Sequence, residues 1–136
     1  MSRKIKLFWV LSLAGLLAAP AYAGKNDPMY LPAPIEITGG KSAEDVKRAV
    51  RKALFDEEFQ ARDIAPGQVQ GKRTKSGKGG AYSAVVTVHY DSRSVRIAYS
   101  GSENLNYDSK NNTIHGTYNR WVRNIEKRVR RNLGAY

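Results

Sequence analysis

The spacing of apolar and polar positions changes along this chain, and each change of period marks an element. Leu7 to Leu17 is an apolar run of 11 residues, preceded by Arg3, Lys4 and Lys6 and followed by Pro20. A cationic start, a short apolar core and the small residues of Ala21-Tyr22-Ala23 predict a signal peptide over residues 1–23, cleaved before Gly24. A membrane span needs about 20 apolar residues, and this run reaches only Ala19. The mature chain is therefore expected to be periplasmic or secreted, and not membrane-spanning after cleavage.

Gly24 to Gly40 carries Pro28, Pro32 and Pro34 and closes on Gly39-Gly40. That composition predicts an extended leader with one short strand at Ile35–Thr38, spacing the domain from its N-terminus. The domain itself is read as residues 41–136. Ser42 opens its first helix through a capping box with Asp45 in place of the preferred Glu. Val46, Ala49, Val50, Ala53 and Leu54 recur at helical spacing, which carries the helix to about Leu54 or Phe55.

From Phe59 to Ser100 the period becomes two. Tyr82, Ala84, Val86, Val88 and Tyr90 point one way, while Ser83, Val85, Thr87 and His89 point the other. Asp91-Ser92-Arg93 is a tight turn, and Val95, Ile97 and Tyr99 continue the apolar face on the next strand. Pro66-Gly67 separates two weaker strands, Phe59–Ile64 and Gln68–Thr74. Ser100–Thr113 reads as a polar, Asn-rich loop. Thr113 is the expected N-cap of a last helix from Ile114 to Leu133, with Gly134 closing it. On a helical wheel Ile114, Tyr118, Trp121, Val122, Ile125, Val129 and Leu133 gather on one side, and Arg120, Arg123, Lys127, Arg130 and Arg131 on the other. Such a helix could lie on an anionic membrane. Packing onto the sheet is favoured, because only the short first helix would otherwise cover the apolar strand face. The expected fold is α+β: a helix, an antiparallel three- to four-stranded meander and a long C-terminal helix, both helices on one sheet face.

Composition narrows the chemistry. Removing 23 of 136 residues leaves a mature chain of 113, enough for one domain, with no cysteine for a disulfide, a thiolate metal site or a nucleophile. Cleavage takes three of the 23 basic residues and none of the 12 acidic ones, so the mature net charge is +8. That surplus either solvates the surface or meets polyanions. Gly71–Gly80 resembles a phosphate loop but fails on spacing, since five residues separate Gly71 from Gly77-Lys78 where four are needed. It reads instead as a mobile hairpin tip whose Lys72, Arg73, Lys75 and Lys78 form a candidate polyanion patch. Arg123, Lys127 and Arg130 on the last helix form a second.

Two histidines, His89 and His115, make a poor metal set. Ser100 or Ser102 with His115 and Asp108 could be arranged as a triad on paper, but no nucleophile turn accompanies them. No metal, cofactor or catalytic residue is expected, and a small hydrolase is the least favoured reading. Asn104, Asn106, Tyr107, His115 and Asn124 are the candidates for a loop pocket, although the same Asn residues could simply satisfy backbone groups.

Ser102-Glu103-Asn104-Leu105-Asn106-Tyr107, Ile114-His115 and Tyr118-Asn119-Arg120-Trp121-Val122-Arg123-Asn124-Ile125 resemble the end of a group of small uncharacterised exported proteins and lipoproteins of proteobacteria. Pro66-Gly67-Gln68-Val69 and Ala84-Val85-Val86-Thr87-Val88 fit the same group, so the resemblance spans roughly Ala43 to Leu133. It implies compartment and fold, and no activity. The chain departs from the group in lacking a lipid-accepting Cys, in Phe59 near where relatives carry Trp, and in its more basic Gly71–Gly80 stretch. The functional expectation is a non-enzymatic periplasmic binding or envelope-associated protein whose basic surface meets anionic envelope components, with no specific nucleic acid. The alternative is a protein–protein adaptor of the envelope that uses the open sheet face or edge.

Overall fold

A computed structural model describes residues 26–134, so the signal peptide read in residues 1–23 lies outside the described residues. The elements in chain order are β1 (Asn26–Pro28), β2 (Ile35–Glu36), α1 (Ala43–Asp56), β3 (Gln60–Ala65), β4 (Gln68–Gly77), β5 (Gly80–Tyr90), β6 (Ser94–Glu103), β7 (Thr113–His115) and α2 (Gly116–Leu133). The expected meander is the run β3-β4-β5-β6. β2 joins its far side, giving a five-stranded antiparallel sheet in the order β2-β6-β5-β4-β3, and β1 and β7 form a separate two-stranded ribbon. The α+β class and the long C-terminal helix stand as expected.

α1 begins as its sequence dictates. The Ser42 hydroxyl accepts from Asp45 N–H at 3.1 Å and the Asp45 carboxylate accepts from Ser42 N–H at 3.4 Å, a capping box closed by the shorter acid. Its buried residues are the five that share the apolar face, Val46, Ala49, Val50, Ala53 and Leu54. Two positions of β4 show that both helices cover the same sheet face. A Cβ on Gly71 would sit 2.8 Å from a Leu54 methyl of α1, and Arg73, two residues on and so on the same face, lies over Trp121 of α2. Glycine at 71 is what lets α1 approach the strand.

Three expectations are corrected. First, the leader is not a spacer. Met29 and Ile35 are buried in the single core cluster, β1 pairs with β7, and Tyr30 N–H donates to Asn119 Oδ1 at 2.8 Å while Asn119 Nδ2 donates to Pro28 O at 2.9 Å. Its apolar residues are isolated between prolines, so no period betrays them. Second, most of Gly71–Gly80 is strand: β4 runs to Gly77 and every residue from Gln68 to Gly77 has a partner in β5. Pairing with a strong strand overrides a composition that reads as loop. Third, Thr113–His115 is β7 and not the start of a helix. His115 is the N-cap, its Nδ1 accepting from Thr117 N–H at 3.1 Å. The β-branched Thr113 and Ile114 suit a strand. At Gly116 a Cβ would come within 2.9 Å of Asp27, so the helix starts where the β1–β7 ribbon ends.

Candidate functional site

Strand alternation distributes the basic residues of β4 that the sequence grouped together. Lys72 points away from the helices, opposite Gln60 on β3 and Val85 on β5. Arg73 points inward. It is only 8% exposed, its guanidinium lies 4.4 Å from the Trp121 ring centroid, and Nη2 donates to Glu58 at 3.1 Å. Trp121 in turn stacks on Tyr82 at 5.9 Å and meets Phe59 edge-on at 6.0 Å. Arg73 is therefore a capped, cation–π-held plug at the end of the core, and it leaves the polyanion patch. Lys75 lies opposite Tyr82, and Lys78 is in the turn after Gly77.

The face turned away from the helices gathers other cations. Arg62 donates to Gln70 Oε1 at 3.2 Å, and Arg96 faces His89 across β5–β6. Arg62, Lys72 and Arg96 thus share this face with Gln60, Gln68, Thr74 and Thr87, and Thr87 bonds Ser100 at 2.5 Å. Among the described residues none of the three has a carboxylate within ion-pair distance, nor do Lys75 and Lys78. Glu103 and Glu36 stand at the margins of the face. His89 titrates below the ordinary imidazole range, first because of its burial and then because of the Arg96 charge. Arg62 and Arg96 were absent from the sequence-based patches because only the strand register brings them beside Lys72.

The second expected patch divides as well. Arg123 is exposed with its guanidinium 4.4 Å from the Tyr30 ring centroid, and Lys127 is exposed. Arg130 is tied to Glu126 at 3.3 Å, and that carboxylate also accepts from the Tyr30 hydroxyl at 2.5 Å. The bond to Glu126, then burial, holds the Tyr30 phenol above its ordinary range.

The pocket candidates do not converge. Asn104 and Asn106 adopt left-handed backbone at φ 57° and 54°. Asn104 Nδ2 donates to Ala81 O at 2.6 Å, and Asn106 O accepts from Asn26 at 2.8 Å. Tyr107 is 41% exposed, its ring 4.4 Å from Tyr99. His115 is spent as a cap, and Asn124 lies about two turns further along α2, beside Lys127, Arg128 and Glu57. Of the three Asn residues, Asn104 is the one whose side chain bonds a backbone group. Asn119, 3% exposed, is the structural residue the sequence did not single out; its clue was an amide on the apolar side of α2.

No hydrogen bond among the described residues links Ser100 or Ser102, His115 and Asp108. Ser102 faces Tyr99 OH at 2.8 Å, and Asp108 accepts from Lys110 and Asn111. Among the described residues no three His, Asp or Glu side chains form a metal-ligating group, and no helix is long and apolar enough to cross a membrane.

No protein-family model and no curated protein matches the chain. Among solved structures it is similar to the uncharacterized conserved protein YugN from Geobacillus kaustophilus HTA426, at 15% identity and a TM-score of 0.38, over 69% of this chain and 86% of that one.

Proposed function

We propose that the protein is an exported, non-catalytic binding component of the cell envelope whose partner is an anionic envelope component. The observation that carries this reading is the placement of Arg62, Lys72 and Arg96 on one uncovered sheet face, without carboxylate partners, with Lys78 in the adjoining turn and Lys75 exposed at the same end of the hairpin on the other face of β4. Surface charges reach about 8 Å at physiological salt, so a local cluster matters more than net charge. No Phe, Tyr or Trp of the described residues lies on this face, whose one aromatic ring is the half-buried His89, so it offers no run of rings for successive bases to stack on. That favours a polyanion held by charge over a specific nucleic acid.

Retention on heparin and on anionic vesicles tests the reading. Replacing Lys72, Lys75, Lys78 and Arg96 by Gln should lower the salt needed for elution far more than replacing Lys47, Arg48, Arg51 and Lys52. Equal losses would leave net charge as the whole effect, and no binding by the parent at about 0.15 M salt would reduce the cations to solvation. Export is tested separately by N-terminal sequencing of envelope-fraction protein: Gly24 is expected, and a retained Met1 overturns it.

The adaptor reading has one observation of its own. β2 pairs with only Val95 and Ser94 of β6, and beside the remaining edge Leu31 is 67% exposed near Tyr107 and Tyr99. In-cell crosslinking should then give a discrete adduct that Leu31→Asp with Tyr107→Asp abolishes; an unchanged pattern removes the reading.

A further inference from the structure

We propose that two copies of this chain associate through α1 and the free edge of β3, each placing Phe55 in the groove of the other. Phe55 is the penultimate residue of α1 and is 78% exposed, although its neighbour Leu54 is fully buried. A single exposed Phe is ordinary. Here it borders an open groove of about 770 Å³, floored by Phe59 and Ala61 and walled by Arg51 and Lys52. Ile64, 40% exposed, lies on the same edge strand. Phe55 lines the groove and is itself exposed, so one patch offers both a ring and a recess, the self-complementarity a two-fold contact requires.

Charge selects the occupant. Residues 44–63 contain six of the chain's 12 carboxylates and five cations. Every one of the six carboxylates is ion-paired: Glu44 with Lys47, Asp45 with Arg48, Asp56 with Lys52, Glu57 with Arg128, Glu58 with Arg73 and Asp63 with Arg51. Two molecules of net charge +8 meeting through the outer sheet face or the outer side of α2 would oppose unpaired cations. Meeting here, they oppose balanced charge. With the two copies of α1 antiparallel, the cations from Lys47 to Lys52 of one face Asp56 and Glu58 of the other, Glu57 being turned to Arg128. The bulge between Asp63 and Ala65, with Arg62 and Asp63 beside it, blunts the rest of the β3 edge. A same-patch contact of this kind closes at two copies and leaves both basic sheet faces free.

Light scattering on the mature protein across concentrations tests this. The parent should reach twice the monomer mass, and Phe55→Glu should return it to monomer with an unchanged circular dichroism spectrum, since so exposed a ring holds nothing in the core, and with the melting temperature of the parent diluted to monomer. Tyr107→Glu, on the opposite edge, should leave the dimer intact. A monomeric parent at about 100 μM, well above the micromolar range of standard interfaces, overturns the proposal. So does a dimer that survives Phe55→Glu, or one that Tyr107→Glu dissolves. Heparin retention by monomeric Phe55→Glu keeps the proposed envelope function distinguishable from this one.

Discussion

α1 and α2 rest on the same face of one sheet and differ in how their outward charges are satisfied. On α1 the four cations each have a carboxylate partner within the helix or on β3, for example Arg51 with Asp63 at 2.7 Å and Lys52 with Asp56 at 2.8 Å. Those partners leave a trace in titration. Lys47 is held above the ordinary ammonium range, first by its hydrogen bond to Glu44, and Asp56 below the ordinary carboxylate range, first by its bond from Lys52. α2 carries one carboxylate, Glu126, and among the described residues Arg120, Arg123, Lys127 and Arg131 have no acid partner. Equal amphipathicity thus hides unequal surfaces: one side of the molecule is quiet enough to meet a copy of itself, while the other keeps its charge available.

The inner faces differ too, and Trp121→Ala is the largest test of that difference. α1 buries small and branched aliphatics, whereas α2 drives Trp121 between Tyr82, Phe59 and Arg73. Truncation should cost about 3–5 kcal/mol, most of the margin of a small domain, and it strands the buried Arg73 guanidinium. Chemical denaturation of the purified variant reads the cost, and an unchanged midpoint would remove Trp121 from the core. Next in size is Asn119→Ala, which detaches the leader from α2 alone. Losing the two part-buried bonds to Tyr30 N–H and Pro28 O should cost about 1–3 kcal/mol together. Hydrogen exchange should show the Tyr30 amide losing protection while the amides of α1 keep theirs.

That asymmetry also explains what could be read in advance. α1 was legible because its capping box and its apolar spacing are both local. The hairpin of β5 and β6 was legible from its alternation. The start of α2 was misplaced because Ile114 is buried in either reading: a residue in a short strand against β1 satisfies the wheel as well as a residue in the first turn. The leader escaped because its contacts are 80 to 91 positions away in sequence, between Asn26 and Asn106 or Pro28 and Asn119. The basic residues were visible but their grouping was not. Adjacent positions such as Lys72 and Arg73 part to opposite faces of a strand, while Arg62, Lys72 and Arg96 come together only through register.

A smaller effect sharpens the helix comparison at the N-termini. Ser42→Ala removes the hydroxyl that accepts from the Asp45 N–H in the first turn of α1, while the Asp45 carboxylate keeps the N–H of residue 42 and Arg48. The expected cost is about 1 kcal/mol. Ser42→Gly should recover most of it, and urea midpoints of the three proteins settle the order. α2 has no acidic residue in its first turn and is capped by the His115 ring, so its stability should not respond to this change.

The smallest effect concerns pH and the basic face. His89 sits on the outer face opposite Arg96 and Gln68, near Asp91, whose carboxylate is occupied by the N–H groups of Arg93 and Ser94. Its folded-state pKa is lowered, by burial first and by Arg96 second. A proton is therefore bound more readily by the unfolded chain, and stability rises with pH across this titration. The contribution is fully present above the unfolded value near 6.5 and is lost as pH falls through the lower folded value. His89→Gln should flatten the fall in melting temperature between about pH 7.5 and pH 5 without changing the plateau. Protonation also adds a cation between Arg96 and the hairpin. Retention on heparin should therefore strengthen at the acid end in the parent and not in His89→Gln. A parallel gain in both proteins would assign the acid response to carboxylates elsewhere, and with it the claim that this face, rather than the balanced surface of α1, carries the pH-dependent charge would fall.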